Sequence, residues 1–255
     1  MRSDWIALPD AVAAEVAERV GGIVGVYPAP SGNHAEIASA VIGSTSKAFV
    51  KAASGDLGVR SLRYELAATG AVDRFPPATL WHVERDGWLV VGAELLAGSH
   101  ADLSPGGADL DLLGVALKGL QESVAPPGAW FTPETRLGFT RQADGDTLIH
   151  SDLNPANLIV TTHGLRIVDW AYATKAAPWV ELALLVQWLI GGGHSPEQAE
   201  DWLAQFPAWA ETDPEVLDDF AARNASKWAS KSRQSTLGWV HDLAAWTCKW
   251  AAHRA

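Results

Sequence analysis

The chain has 255 residues, of which 48% are hydrophobic and 19% charged, as expected of a well-buried globular protein with one large domain or two small lobes. Its net charge of -11 disfavours binding to nucleic acid and would suit a cationic small molecule, although the same charge could serve solubility alone. One cysteine, Cys248, excludes an intramolecular disulfide framework, and without a signal peptide or a membrane span a cytoplasmic location is expected.

The first part of the chain predicts one helix followed by strands. Apolar residues at helical spacing predict a helix over residues 11–20, which ends at Gly21. Three β-prone segments then follow, at residues 23–27, 35–42 and 47–52.

The loop between the first two strands, residues 28–34, could lie over a nucleotide as the glycine-rich loop of kinases does. Ser31, Gly32 and Asn33 are its candidate contacts. It has one glycine and not the pattern G-x-G-x-x-G, so a plain hairpin turn stays open as the alternative.

The third strand carries a single lysine, Lys51, and a strong helix-forming segment at residues 59–68 carries Glu65. Kinases pair a strand lysine with a helix glutamate to direct an ammonium group at the nucleotide phosphates. Alone, Lys51 would more often be a solubility residue of an edge strand. The motif further along the chain favours the functional interpretation.

A hairpin is predicted next, with Asp86-Gly87 as its turn, followed by a segment that leaves the sheet. Backbone groups of Glu94 and Leu95 are expected to meet the purine edge there. The boundary between two lobes is therefore predicted at this segment, with an N-lobe over residues 1–95 and a C-lobe over residues 96–255. A helix follows at residues 109–123.

Residues 148–160 are the most informative stretch, because they contain the pattern H-x-D-x-x-x-x-N as His150, Asp152 and Asn157, with Asp169 following a second short strand. Phosphoryl transfer requires a carboxylate near the attacking hydroxyl and oxygen ligands for Mg²⁺. Asp152 fits the first role and Asn157 with Asp169 the second, at the spacing that protein kinases use. An ordinary Asn-Pro turn beside a core histidine is the alternative, which four polar groups between apolar strands disfavour.

Beyond this motif the sequence predicts helices over residues 179–190, 195–206, 213–231 and 236–253. Ser195 and Pro196 mark the start of the second of these by their N-cap and N1 preferences. Eight of the 13 tryptophans lie in this region, and helix packing explains most of them better than an aromatic wall for a flat substrate.

On these motifs the chain resembles the aminoglycoside phosphotransferase and choline kinase superfamily, small-molecule relatives of protein kinases. The resemblance implies an α+β, protein-kinase-like bilobal fold with a small antiparallel-sheet N-lobe and a mainly helical C-lobe. It implies Asp152 as the catalytic base and Asn157 and Asp169 as ligands of Mg²⁺. It also implies that Lys51 and Glu65 form the pair that holds the nucleotide phosphates.

Two residues depart from the pattern of this superfamily. Ser151 stands where the family usually has glycine, and Glu181 stands where a helix commonly begins with aspartate. The connection from Asp169 to Glu181 is too short for the activation segment of a protein kinase, and it lacks an Ala-Pro-Glu triplet. A small-molecule acceptor is therefore expected.

These features predict Mg²⁺-dependent transfer of the γ-phosphate of ATP or GTP to a hydroxyl of a small molecule, with His150 orienting the catalytic loop. Family and charge favour an antibiotic acceptor that is inactivated, an aminoglycoside first, although a nucleoside or peptide antibiotic fits the chemistry equally well. Acidic side chains on the C-terminal helices would suit a cationic acceptor: Glu211, Asp213, Glu215, Asp218, Asp219 and Asp242.

Three alternatives are open. A metabolite kinase could act on choline, an amino acid or a sugar, and a choline-type cation would require an aromatic cage. A catalytically inactive kinase fold that binds a nucleotide or a protein is disfavoured, because base, metal ligands, lysine and glutamate are all present. A metal hydrolase is disfavoured because the chain lacks H-E-x-x-H and its eight histidines do not cluster.

Overall fold

The structure, a computed structural model, describes residues 5–29, 35–139 and 141–255. The chain forms two compact units, the first made of Met1–Gly98 with Arg166–Ala171 and the second of Ser99–Leu165 with Tyr172–Ala255. The functional division into a nucleotide-covering lobe and a substrate-binding lobe stays a prediction.

The first unit is built on a five-stranded antiparallel sheet and two helices. The strands are β1 (Ile23–Pro28), β2 (Ile37–Gly43), β3 (Lys47–Ser54), β4 (Thr79–Arg85) and β5 (Trp88–Ala93), and the helices are α1 (Asp10–Val20) and α2 (Gly55–Gly70). The strand order is β1-β2-β3-β5-β4. Between β4 and β5, Asp86 and Gly87 have φ angles of 51° and 79°, as a two-residue hairpin turn with two positive φ angles requires, so the predicted turn is confirmed.

The two helices cover opposite faces of this sheet. The buried valines of α1 pack in a cluster that includes Val50 and Val90. Leu62 of α2 packs with Leu89 and Val91, whose side chains leave β5 on the other side from Val90. Strand alternation therefore decides which side chains of β3 and β5 meet α2.

Helix α2 begins at Gly55, four residues before the predicted start. Ser54 occupies the N-cap position, and its backbone N–H and hydroxyl donate to Glu36 Oε1 over 2.7 and 2.9 Å. A partner eighteen residues earlier in the chain is invisible to a local helix pattern, which explains why the sequence placed this boundary too late.

The second unit is mainly helical. Its helices are α3 (Asp109–Gln121), α4 (Pro133–Leu137), α5 (Pro178–Gly191), α6 (Pro196–Leu203), α7 (Pro207–Ala210), α8 (Pro214–Ser232) and α9 (Gly238–His253). Helix α5 is buried on nearly all sides, and α6, α7, α8 and α9 pack around it. The helix predicted over residues 195–206 ends at Leu203, and Pro207 begins a separate short helix because proline cannot continue the preceding one.

Five short strands follow: β6 (Ser99–His100), β7 (Thr147–Ile149), β8 (Leu158–Thr161), β9 (Gly164–Ile167) and β10 (Thr174–Ala176). All lie in the second unit except the last two residues of β9, which belong to the first. Strand β7 pairs with β10, and β6, β8 and β9 form a sheet in that order. The catalytic-loop candidates lie between β7 and β8, and Asp169 follows β9, as the apolar runs of the sequence predict. None of the helices in the described part of the chain has the length and apolarity that crossing a membrane requires.

Candidate active site

Lys51, Glu65 and Asp169 meet within the first unit. The Lys51 ammonium nitrogen lies 2.6 Å from Glu65 Oε1 and 2.9 Å from Asp169 Oδ1. Lys51 lies on β3 two residues before Ala53, so both side chains leave the strand on the face covered by α2. Glu65 lies one helical turn after the buried Leu62 and therefore faces the sheet as well. The predicted contact between Lys51 and Glu65 is thus present.

The two carboxylates keep the Lys51 ammonium group charged. Burial by itself lowers the pKa of Lys51, but the charges and hydrogen bonds of Glu65 and Asp169 outweigh burial and raise the pKa above its ordinary value. The site therefore presents an ammonium group held in one position by two carboxyl groups.

Asp169 is held in the first unit by the segment that carries it. The backbone N–H of Ile167 donates to Phe75 O over 2.9 Å. The Arg166 guanidinium donates to Pro76 O over 2.7 Å and to Glu94 Oε2 over 2.8 Å. Asp169 itself has a φ angle of 67°, in the left-handed region. The sequence pattern does not reveal these contacts of Arg166, because its partners lie far away in the chain.

The structure modifies the prediction for Glu94 and Leu95. The Glu94 backbone N–H donates to Ala78 O over 2.8 Å, and its carboxylate binds Arg166. A purine edge could therefore use the carbonyl of Glu94 or the backbone of Leu95, which lies outside any strand or helix. The other nucleotide candidates, Ser31, Gly32 and Asn33, lie outside the described residues.

In the second unit the predicted catalytic loop, residues 150–157, is held by its own side chains. The Asp152 backbone N–H donates to His150 Nδ1 over 3.2 Å, and the His150 ring is fully buried. Asn157 Nδ2 donates to Asp152 O over 2.9 Å and to Asp152 Oδ2 over 3.2 Å. Asn154 accepts from the Ala156 N–H over 2.9 Å and caps the turn that carries Asn157. This geometry supports an orienting role for His150.

Glu181 binds the same loop from the first turn of α5. It is 3% exposed, and its carboxyl oxygens accept from the backbone N–H groups of His150 and Ser151, the latter over 3.0 Å. The sequence identified Glu181 as a departure from the family pattern, and the structure identifies what its side chain reaches.

Burial raises the pKa of Glu181 to about 8, with a contribution from the negative charge of Asp152, while the two N–H bonds act in the opposite direction. The folded chain therefore keeps a proton that the unfolded chain releases near pH 4.5. Stability contributed by this group is complete below about pH 4.5 and is lost as the pH rises towards 8.

We expect the free energy of unfolding of the wild type to fall between pH 5 and pH 8 relative to that of Glu181→Gln, by at most about 1.4 kcal/mol per pH unit. Urea denaturation of both proteins across this range measures the difference, and other titrating groups cancel in it. A difference that is constant with pH would contradict this assignment.

Asn157 and Asp169 each offer an oxygen atom of the kind that Mg²⁺ binds together with phosphate oxygens. Asn157 uses its amide nitrogen on Asp152, so its amide oxygen is the atom suited to a cation. Asp169 supplies a carboxylate. Within the described residues no group of three or more His, Cys, Asp or Glu side chains could hold a metal ion without such a phosphate.

A cavity of about 300 Å³ lies in the second unit. The rings of Phe139 and Phe220 stack with centroids 4.0 Å apart, and Trp179 meets Phe220 edge-on at 5.4 Å, so three aromatic side chains line it. Trp179 lies in the same helical turn as Glu181, which connects the cavity wall to the catalytic loop.

Three of the six acidic side chains predicted for a cationic acceptor line this cavity, namely Asp213, Glu215 and Asp219. Asp218 does not; it binds the Arg254 guanidinium over 2.7 Å. Glu211 and Asp242 are also not among the described lining residues. The tryptophans of the C-terminal helices differ in burial. Trp250 is fully buried, as predicted for helix packing, and Trp239 is 52% exposed.

Comparison with known proteins extends these observations. Residues 129–215 match the model of a phosphotransferase enzyme family, APH. A search of curated protein sequences finds no match.

Solved structures with the same fold include three kinases of small molecules. Aminoglycoside phosphotransferase APH(4)-Ia superposes with a TM-score of 0.62 at 11% identity, over 96% of this chain and 97% of that chain. Spectinomycin phosphotransferase APH(9)-Ia gives 0.60 at 12% identity, over 94% of each chain. A microcompartment-associated aminopropanol kinase gives 0.58 at 15% identity, over 96% of each chain.

The resemblance, the α+β fold class and the enzyme class predicted from the sequence, a small-molecule kinase, are confirmed by the family match and the fold. Residues 129–215 match the phosphotransferase enzyme family, and the chain has the protein-kinase-like fold of the aminoglycoside phosphotransferases.

Proposed function

We propose that the protein is a Mg²⁺-dependent O-phosphotransferase, which moves the γ-phosphate of ATP or GTP to a hydroxyl group of a small molecule. The observation that carries this proposal is the Lys51 ammonium group, held by Glu65 over 2.6 Å and by Asp169 over 2.9 Å. A partly buried cation fixed by two carboxylates is suited to a polyphosphate, and this pairing recurs at kinase sites.

Four residues would bind the nucleotide and its metal ion. Lys51 binds phosphate oxygens, and Glu65 keeps its ammonium group in place. Asn157 and Asp169 would hold Mg²⁺, which neutralises charge on the β- and γ-phosphates when bound. Solved structures of APH(4)-Ia with AMP-PNP and of APH(9)-Ia with ADP support a nucleotide as the donor.

On the acceptor side Asp152 is the general base. Its backbone is held by the His150 ring and by the Asn157 amide, so its carboxylate has a defined direction. A substrate hydroxyl within hydrogen-bond reach of this carboxylate gives up its proton as it attacks the γ-phosphate. Positioning of this kind is the main contribution that a protein makes to phosphoryl transfer.

For the acceptor we propose a hydroxylated antibiotic that carries at least one ring and one amine, so that phosphorylation confers resistance. The aromatic side chains that line the cavity can stack on a ring, and the carboxylates of Asp213, Glu215 and Asp219 can attract a cation. Related structures hold hygromycin B and spectinomycin, which supports an antibiotic. The cavity volume of about 300 Å³ lies at the lower end for ligand sites, so it admits one ring of a larger molecule or a small acceptor whole.

A metabolite kinase is the second candidate, and the same cavity supports it. Aromatic faces beside carboxylates can bind a small ammonium group such as that of choline or of an amino alcohol. The fold shared with an aminopropanol kinase is compatible with such an acceptor.

Nucleotide consumption across an acceptor panel tests the proposal. We expect turnover of Mg-ATP or Mg-GTP with one class among aminoglycosides, other antibiotics, amino alcohols and sugars. Glu215→Gln should raise KM for a cationic acceptor roughly threefold or more, whereas Glu211→Gln, a matched change outside the cavity, should not. Binding of Mg-ADP without turnover on any acceptor would favour an inactive kinase fold, and absence of nucleotide binding would refute the proposed function.

A further inference from the structure

Helix α2 follows strand β3 without a connecting residue. Ser54 is both the last residue of β3 and the N-cap residue of α2, and Gly55 begins the helix. Gly55 has a φ angle of 68°, in the left-handed region, so the chain changes direction at a single residue. In protein kinases the position of the equivalent helix decides whether the pair of lysine and glutamate is in place. Gly55 is the point about which α2 could pivot, so the contacts at this junction decide where the helix lies.

Glu36 holds this junction from the segment that leads into β2. Its Oε1 atom accepts the Ser54 N–H over 2.7 Å, and the Ser54 hydroxyl reaches Oε1 over 2.9 Å and Oε2 over 3.0 Å. The register of β2 and β3 ends at Ile37 and Ala52, so the Ser54 N–H lies beyond the last backbone pair. The Glu36 side chain therefore takes the place that a further strand residue would have. A carboxyl group at the start of a helix is also favoured by the helix dipole.

The first turn of α2 lies directly on the end of β3. A Cβ atom at Gly58 would lie 3.0 Å from the Ala53 Cβ atom and 3.6 Å from Glu36 Oε1. Glu65 follows Gly58 by about two helical turns and therefore lies on the same face of the helix. This face is held at its start by Glu36 and further along by the contact of Glu65 with Lys51, over 2.6 Å.

We propose that Glu36 is a positioning residue, which fixes the start of α2 on the sheet so that Glu65 holds Lys51 in place for the nucleotide phosphates. This inference rests on the proposed function, in which Lys51 binds those phosphates. Glu36 acts through the helix and not on the phosphates themselves. Lys51 also lies 2.9 Å from Asp169. If α2 were displaced, the ammonium group would turn to Asp169 alone, which is the proposed ligand of Mg²⁺.

Two substitutions distinguish the hydrogen bonds of Glu36 from its charge. Alanine removes both acceptor oxygens, so the Ser54 N–H loses its side-chain partner. Glutamine has nearly the shape of glutamate, and its amide oxygen can accept the Ser54 N–H while its N–H₂ group donates to the Ser54 hydroxyl. The junction should therefore survive in Glu36→Gln and loosen in Glu36→Ala.

The test is a double-mutant cycle on the Kd of Mg-ADP, with the wild type, Glu36→Ala, Glu65→Gln and the variant that carries both changes. We expect Glu36→Ala to weaken binding roughly fivefold, as loss of a partner at a helix start would, and Glu36→Gln to change it less than about twofold. Because Glu36 acts through Glu65, the double variant should bind no more weakly than Glu65→Gln alone. If Glu36→Ala does not fold, Glu36→Asp replaces it in the cycle, since its carboxyl group is one methylene too short to reach Ser54.

Glu84→Ala is the matched control. Glu84 also reaches from the sheet to α2, but it binds the exposed Arg63 guanidinium, over 2.6 Å. Its removal should change the Kd less than about twofold. Hydrogen exchange of the Ser54 and Glu65 amides follows the helix itself. Both amides should exchange faster in Glu36→Ala than in the wild type, and neither should in Glu36→Gln or Glu84→Ala.

Affinity losses that add in the double variant would overturn the inference, and so would a Glu36→Gln variant that binds as weakly as Glu36→Ala. A wild type that does not bind Mg-ADP would refute the proposed function instead. Amide exchange would then decide the role of Glu36 alone, and an unchanged Glu65 amide in Glu36→Ala would show that Glu36 does not fix the helix.

Discussion

Asp152→Asn is expected to lower turnover of the hydroxyl acceptor on the order of 10²- to 10⁴-fold while Mg-nucleotide binding stays intact. Asparagine has the volume of aspartate but cannot accept the proton of the attacking hydroxyl. The loop geometry should survive, because Asn157 donates to the backbone oxygen of residue 152 over 2.9 Å as well as to its side chain. The kcat with Mg-ATP and the Kd of Mg-ADP measure the two effects separately.

Asp146→Asn is the matched control for this change. Asp146 is a carboxylate of the same unit that binds the Lys175 ammonium over 2.7 Å at the surface. Its neutralisation should leave kcat unchanged. Near-normal turnover in Asp152→Asn would show that another group accepts the proton.

Lys51→Met is expected to destabilise the first unit as well as to abolish productive nucleotide binding. The side chains of Lys51, Glu65 and Asp169 are 17%, 11% and 25% exposed, so both carboxylates are largely shielded from water when they lose their shared ammonium group. Removing one partner of a buried ion pair costs roughly 3–5 kcal/mol. Urea denaturation of the variant measures this loss.

The double variant Lys51→Met/Glu65→Gln shows how much of the stability loss comes from repulsion between the two carboxylates and how much from loss of packing. It removes one of the two carboxylates and should recover part of the stability without recovering activity. Arg63→Met, which breaks the exposed ion pair with Glu84, is the control and should change stability little. Equal stability losses in the Lys51 and Arg63 variants would contradict a buried, coupled site.

The Lys51–Glu65 contact could be predicted because both residues lie in regular elements. Strand alternation places Lys51 on one face of the sheet, and helical periodicity places Glu65 beside Leu62, so a pairing of the two elements brings the charges together. The spacing of His150, Asp152 and Asn157 was equally informative, because the whole loop lies within eight residues of chain. The identities of the acceptor, the nucleotide and the metal that these residues would bind stay predictions.

Contacts between distant parts of the chain could not be predicted. The binding of Asp169 to Lys51 and of Arg166 to Pro76 joins residues about ninety or more positions apart. Neither periodicity nor turn preference carries such information. The contacts of Glu181 could not be predicted for the same reason. The sequence showed an unusual residue at a helix start, but the groups that it binds lie about thirty positions earlier.

The assignment of Arg166–Ala171 to the first unit has a consequence for synthesis of the protein. A nascent chain that has emerged only as far as Gly98 contains the whole five-stranded sheet but neither Arg166 nor Asp169. Lys51 then has Glu65 as a partner, and its second carboxylate, that of Asp169, is synthesised only after all of Ser99–Leu165 has been translated. The ribosome therefore releases the sheet before it releases the segment that completes the charged cluster, and a fragment cut at Gly98 would carry that cluster unfinished.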